Sequence, residues 1–226
     1  MARTDRSAFL ANVRRALAAG ARREESTAPP TVVRSAAPAD GELSLLFERE
    51  AVAADATVVR AASIREARDA IASLLRELGA KRVVSGNTEL LRELDVRGDE
   101  FTVEVSQFGE SEAERDALRA SEAGADVGLT EADYGIAESG TLALLHRPGQ
   151  GRAISLLPPV HVAVLRTGDL LPDLGALFER LESDERHPAS ALTFITGPSR
   201  TGDIEFVITK GVHGPGALHV VLLDTD

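Results

Sequence analysis

The amino-acid sequence predicts an α/β fold, Rossmann-like, with a mainly parallel sheet and helices on both faces. Three observations predict it. Strand-like and helical segments alternate from residue 43 onward at the spacing of βαβ units. The strand-like segments are short, apolar and rich in β-branched residues. The strongest helix carries its own start and stop signals, Ser63 ahead of it and Gly79 after it.

Taken in order, Thr4–Arg23 reads as an amphipathic helix, with Phe9, Leu10, Val13 and Leu17 at helical spacing among arginines. Glu25–Gly41 holds Pro29, Pro30 and Pro38 among Ser, Thr and Ala, the composition of a linker. Residues 1–41 are thus expected to be an N-terminal helical arm with a Pro-rich linker, and residues 42–226 the α/β domain. Leu43, Leu46, Phe47 and Ala51 predict a second helix, and Thr57–Ala61 a strand. Ile64, Ala67, Ile71, Leu74, Leu75 and Leu78 mark one face of the helix behind Ser63. Lys81–Ser85 and Phe101–Val105 are predicted strands, with helices at Thr88–Leu94 and Ser111–Ser121.

The second half is denser in strands. Ala125–Thr130, Thr141–His146, Ala153–Leu157, His161–Arg166, Leu192–Thr196 and Ala217–Leu223 all have strand composition, and Asp169–Leu181 reads as a helix. Ile204–Thr209 is either a strand, since Ile204, Phe206 and Ile208 alternate, or a short helix.

Composition excludes several classes of function. With 36 acidic against 25 basic residues the formal charge is −11, which repels phosphate backbones and anionic lipid. Seven Phe, one Tyr and no Trp make no stacking platform, so nucleic-acid binding is not expected. The chain has no cysteine, hence no disulfide, no thiolate nucleophile and no cysteine-held iron–sulfur cluster of its own. No apolar stretch follows a basic start and none is long enough to span a bilayer, so a cytoplasmic protein without membrane insertion is expected.

Ligands of open α/β sheets bind in the loops after the carboxyl ends of strands. Three stretches qualify. Ala132–Thr141 places Glu138, Ser139, Gly140 and Thr141 consecutively before an apolar strand, either as a polar turn whose glycine permits positive φ or as a ligand-binding turn. Gly197–Asp203 combines Gly197 with Ser199, Arg200, Thr201 and Asp203, where hydroxyls and a forked guanidinium suit a carboxylate or phosphate. It lacks the Gly-Lys-Ser/Thr ending of a P-loop. Gly211–Pro215 sets His213 between glycines, where it can donate, accept or shuttle a proton, and His161 follows Pro158-Pro159-Val160 at a strand start. There is no HExxH, no CxxC and no His pair at helical spacing, so no metal site is expected. Glu138-Ser139-Gly140 is not a Gly-x-Ser-x-Gly nucleophile elbow.

Together ADYGIAESGT (132–141), LLPPVH (156–161), GPSRTGDIE (197–205) and GVHGP (211–215) resemble the LUD-domain family, of the lactate-utilisation protein C type. Ser139 stands where a threonine is common in that family, and the hydroxyl is retained. The resemblance implies a fold of the NagB/RpiA/CoA-transferase type. It also implies service in oxidising L-lactate to pyruvate beside two partner proteins that carry iron–sulfur clusters, this chain being the cluster-free subunit. A small carboxylate or phosphorylated ligand is then expected at Glu138, Ser139, Gly140, Thr141, His161, Gly197, Ser199, Arg200, Thr201, Asp203 and His213. An alternative is a CoA-transferase-like or sugar-phosphate-type enzyme with Glu138 as nucleophile in its tight glycine-containing turn.

Overall fold

The computed structural model describes residues 6–19, 42–107, 111–147, 150–183, 189–202 and 208–224. The chain divides into two units, Met1–Val33 and Arg34–Asp226. The first contains helix α1 (Arg6–Ala19), which has no acidic residue in its first turn and no basic residue in its last. Side-chain charge therefore favours neither of its ends. Residues 4–5 and 20–23 of the expected arm, and its linker, lie outside the described residues.

In the second unit, α2 (Glu42–Ala53) leads through a turn with Asp55 at φ 75° into β1 (Thr57–Ala61). Helix α3 (Ile64–Glu77) begins where Ser63 Oγ accepts from Glu66 N–H at 3.2 Å and Glu66 Oε2 accepts from Ala62 N–H at 2.9 Å. It ends at Gly79, φ 64°, as the sequence predicts. Then come β2 (Arg82–Ser85), α4 (Glu89–Leu94), β3 (Thr102–Val105), α5 (Glu112–Gly124) and β4 (Val127–Glu131). A reciprocal Ser111–Glu114 capping box opens α5. Beyond it lie β5 (Tyr134–Ile136), a 3-10 turn (Ala137–Ser139), β6 (Thr141–His146), another 3-10 turn (Ala153–Ser155) and β7 (Val160–Arg166). The chain continues through β8 (Leu170–Leu171), α6 (Leu174–Ser183), β9 (Ala191–Ile195), β10 (Arg200–Gly202), β11 (Ile208–Lys210) and β12 (Ala217–Leu223).

Six strands form one all-parallel sheet in the order β1-β12-β7-β4-β2-β3, the α/β architecture expected. On one face Ile71, Leu75, Leu90 and Leu94 of α3 and α4 pack on Val83, Leu129, Val162 and Val164. The other face is covered by helix α2 together with a second, mixed sheet of order β8-β5-β6-β9. There Phe47 and Ala51 meet Leu142, Leu144, Leu165 and Leu222. Tyr134, Ile136 and Leu145 face away from that core and pack with Leu177 and Leu181 of α6. Both surfaces of β6 are thus apolar, and all six of its residues are buried. Among the described residues no helix is long and apolar enough to cross a membrane.

Two sequence-based element assignments are corrected. The expected strand Ala153–Leu157 is a 3-10 turn over Ala153–Ser155. It lies against β4 where Gly128 leaves room: a Cβ there would sit 1.9 Å from Ile154 O. Pro158 and Pro159, which follow, have no N–H for a ladder. The helix expected from Asp169 starts only at Leu174, because Leu170 and Leu171 pair with β5 and Asp173 forms the cap, its Oδ1 accepting from Ala176 N–H at 2.8 Å. Within Ile204–Thr209, Ile208–Thr209 belong to β11 and residues 204–207 lie outside the described residues.

The end of α2 is wedged against two turns. A Cβ on Gly140 (φ 60°) would lie 2.1 Å from Ala51 N, and one on Gly197 (φ 73°) would lie 2.0 Å from Ala54 O. Both positions combine left-handed backbone with a backbone obstacle, whereas Gly79 is left-handed but has nothing within 4 Å. Gly140→Ala and Gly197→Ala are each expected to lower the unfolding free energy by about 2–4 kcal/mol in urea titrations. Gly79→Ala is expected to lose about 1 kcal/mol.

Candidate functional site

The clearest convergence of expected site residues lies at the amino ends of β7 and β12. Gly216 N–H donates to Pro159 O at 2.8 Å, Ser199 N–H to Pro215 O at 2.8 Å, and Gly211 N–H to Ser199 O at 3.0 Å. These bonds tie the proline turn before β7, the loop after β9 and the Gly211–Pro215 loop into one wall. They border an open cavity of about 240 Å³ whose lining includes His161, Gly197, Ser199 and His213. The expectation that such loops gather at the carboxyl ends of the parallel strands is therefore corrected for Gly211–Pro215. That loop precedes β12, whose carboxyl end is at Leu223. The amides of Ser199 and Gly211 are used in joining the loops.

His161 is its most unusual member. It is 1% exposed, pairs through Nε2 with Thr130 Oγ1 at 2.7 Å, and leaves Nδ1 buried without a partner. Burial pushes its pKa down to about 4, so the ring is neutral at neutral pH. A neutral imidazole can accept from a hydroxyl or donate to a carboxylate, according to its tautomer.

The Glu138–Thr141 turn approaches this wall without lining the cavity. Ser139 Oγ, Thr141 Oγ1 and Thr196 Oγ1 form a chain of hydroxyls at 2.8 and 2.6 Å, and Thr196 is a cavity residue. Gly140 serves the close approach of α2. Glu138 is exposed, and its Oε1 accepts from Leu174 N–H at 3.4 Å at the start of α6. Arg200 is turned to the α2–β1 turn, donating from Nη2 to Ala54 O at 3.0 Å and lying 3.4 Å from Asp55 Oδ2. Thr201 sits on β10 opposite Thr209. Asp203 lies outside the described residues.

Sequence reasoning passed over a polar cluster behind this cavity. His146 Nε2 pairs with Thr193 Oγ1 at 2.7 Å, and its Nδ1 lies 3.3 Å from Gln150 O. Thr193 lines the cavity, so His146 stands directly behind the wall. Asp133, wholly buried, receives Leu145 N–H at 2.7 Å and Gln150 Nε2 at 3.1 Å on Oδ2, and Arg147 Nη1 at 2.7 Å on Oδ1. Asp133 stood in the sequence within ADYGIAESGT without being singled out; His146 offered no local signal, because its Thr193 partner lies on another strand. Among the described residues no group of three or more His, Cys, Asp or Glu is arranged to hold a metal ion. With no cysteine, the chain offers no thiolate to an iron–sulfur cluster.

A model of the LUD domain matches residues 46–223. The chain belongs to the LUD-domain family. Over 180 residues it is 36% identical to a protein of Halalkalibacterium halodurans named lactate utilization protein C, covering 74% of each chain. It is 34% identical over 179 residues to YkgG of Escherichia coli, covering 76% of this chain and 77% of that one. In fold it is similar to the crystal structure of a DUF162 family protein from Deinococcus radiodurans, with a TM-score of 0.61 at 24% identity over 82% of this chain and 99% of that one. The LUD domain therefore takes in both the parallel sheet and the second sheet, and the cavity lies within the matched region.

The buried His161 gives stability a definite pH dependence. Its folded pKa, about 4, lies below the ordinary value of 6.5, so the unfolded chain binds the proton more readily. The contribution is complete above pH 6.5 and is lost as pH falls towards 4, an effect of about 3 kcal/mol. Unfolding titrations between pH 7 and 4 should show this decline, and the His161 ring signals in NMR should remain those of the neutral form at pH 5.5.

Proposed function

We propose that this LUD-domain protein is a component of an L-lactate utilisation system that oxidises lactate to pyruvate. It acts there as a non-autonomous, cluster-free subunit with a small-anion site. The observation that carries the reading is the convergence of His161, Ser199 and His213 on one cavity of about 240 Å³. That volume lies below the roughly 300–1,000 Å³ of sites for drug-sized ligands and suits a small metabolite. The names of the relatives supply the pathway, and the cavity supplies a chemistry consistent with it.

Lactate carries a carboxylate and a neighbouring hydroxyl. Ser199 and His213 provide groups that can face the carboxylate, and the free Nδ1 of His161 can pair with the hydroxyl. Oxidation to pyruvate removes two electrons and two protons, for which this chain has no thiolate-held cluster. The electrons are assigned to iron–sulfur partner proteins, and this chain's residues to binding and orientation. Arg200 joins the anion site only if it leaves Ala54 and Asp55, so it belongs to the reading as a mobile contributor.

Deleting the gene in its native host is expected to abolish growth on L-lactate as sole carbon source while leaving growth on pyruvate and glucose intact. Undiminished growth on lactate would overturn the assignment. Complementation with Ser199→Ala plus His213→Ala should restore the protein but slow growth on lactate severalfold.

A further inference from the structure

A second and larger cavity, of about 990 Å³, lies between α5, the end of β6, the Ala153–Ser155 turn and the start of β9. Among the described residues four arginines line it, Arg115, Arg119, Arg147 and Arg152, with one lining carboxylate, Glu122; Arg119 is also paired with Asp116 Oδ1 at 2.9 Å. In a chain of net charge −11 this runs against composition. Arg115 and Arg119 stand one helical turn apart, a like-charge spacing that is unfavourable by itself and places both guanidiniums on one face of α5. Arg147 is anchored by Nη1 to Asp133 Oδ1 at 2.7 Å and Leu145 O at 3.0 Å, and its fork has further N–H donors.

Glu122, His146 and Gln150 add further polar groups to the lining. Glu122 is buried and accepts from Ser106 Oγ at 3.2 Å. Burial raises its pKa, opposed by the Ser106 bond and the charge of Arg119. His146 is pushed down chiefly by burial; the Gln150 carbonyl opposes this, and the charges of Arg152 and Arg147 add to it. Gln150 is 1% exposed, and its Nε2 donates to Glu131 O at 2.9 Å and Asp133 Oδ2 at 3.1 Å. Those two acceptors fix the orientation of the amide and leave Oε1 buried without a partner. Leu118, Leu156 and Leu157 give the same space an apolar wall. The Gln150 and Glu122 anchors reach Glu131 at the carboxyl end of β4 and Ser106 just past β3, where open α/β sheets hold ligands.

We propose that this cavity binds an organic phosphate of nucleotide size, with lining guanidiniums, Arg152 foremost, at its phosphates and the leucines against its apolar body. Gln150 Oε1 accepts an N–H or O–H from the ligand. The volume stands at the top of the roughly 300–1,000 Å³ range of small-molecule sites, far more than a three-carbon acid fills. Guanidinium forks are the side chains best matched to phosphate oxygens. The site is distinct from the cavity at His161 and does not rest on the lactate reading.

The test is calorimetric titration of the purified full chain with ADP, inorganic pyrophosphate and L-lactate. ADP is expected to bind one per chain, more tightly than pyrophosphate, and to weaken as salt is raised. Arg119→Glu with Arg152→Glu, both off the buried network, should weaken ADP at least tenfold while circular dichroism and thermal melting stay those of the wild type. Arg49→Glu, outside the cavity, should change nothing. Absence of ADP binding, pyrophosphate binding as tightly as ADP, or ADP affinity untouched in the double variant would each overturn the proposal. Growth on lactate is unaffected by these outcomes as evidence, so the two readings fail separately.

Discussion

The buried carboxylate of Asp133 holds together what the rest of the molecule requires. It follows β4, one of the two middle strands of the parallel sheet, and meets the backbone of β6 in the second sheet through Leu145 N–H. On the same group converge Arg147 and Gln150. An isolated buried charge is costly, and removing one partner of such a pair typically destabilises by about 3–5 kcal/mol. The node therefore fixes the two sheets in register and sets the starting geometry for the polar cluster around His146. A single acid at the end of β4 thus makes the stacking of two sheets and the shape of the large cavity one problem.

Two spaces of different size and chemistry result. The smaller is built from loops with histidines and hydroxyls; the larger is walled by arginines and leucines. They share Leu156 as a lining residue, and the His146–Thr193 hydrogen bond joins a residue of one to a residue of the other. A small acid and a much larger phosphate ester would then be held within one domain, separated by little more than one side chain and one hydrogen bond.

Much of the fold was legible because its signals are local. Ser63, Gly79 and Ser111 mark helix ends through bonds to residues within a few positions, and the parallel strands announce themselves by apolar β-branched runs. The second sheet was not separable from the first, since β6 is buried on both sides and reads like any core strand. Ala153–Leu157 has strand composition, but its conformation is decided by Gly128 on another strand and by the prolines after it. The cap at Asp173 was present in the sequence behind Pro172 and lost to an apparent earlier start at Asp169. In the site, His161, Gly197, Ser199 and His213 were found by motif and do meet on one cavity. Gln150 and the four arginines were invisible, because scattered charged residues acquire meaning only when helix, strand end and turn are folded against one another.

The strand order also governs when this protein can become itself. Strand β1, the first of the domain, pairs with β12, the last, and β12 lies between β1 and β7. A growing chain can assemble β7, β4, β2 and β3 early, but β1 has no strand to pair with until β12 has been made. Closing that pairing spans most of the chain, which makes it entropically late and slow. Until then the flank of β7 is an open edge exposed to other chains. The wall of the smaller cavity, which borrows its loops from the segment just before β12, is therefore among the last parts of the molecule to form.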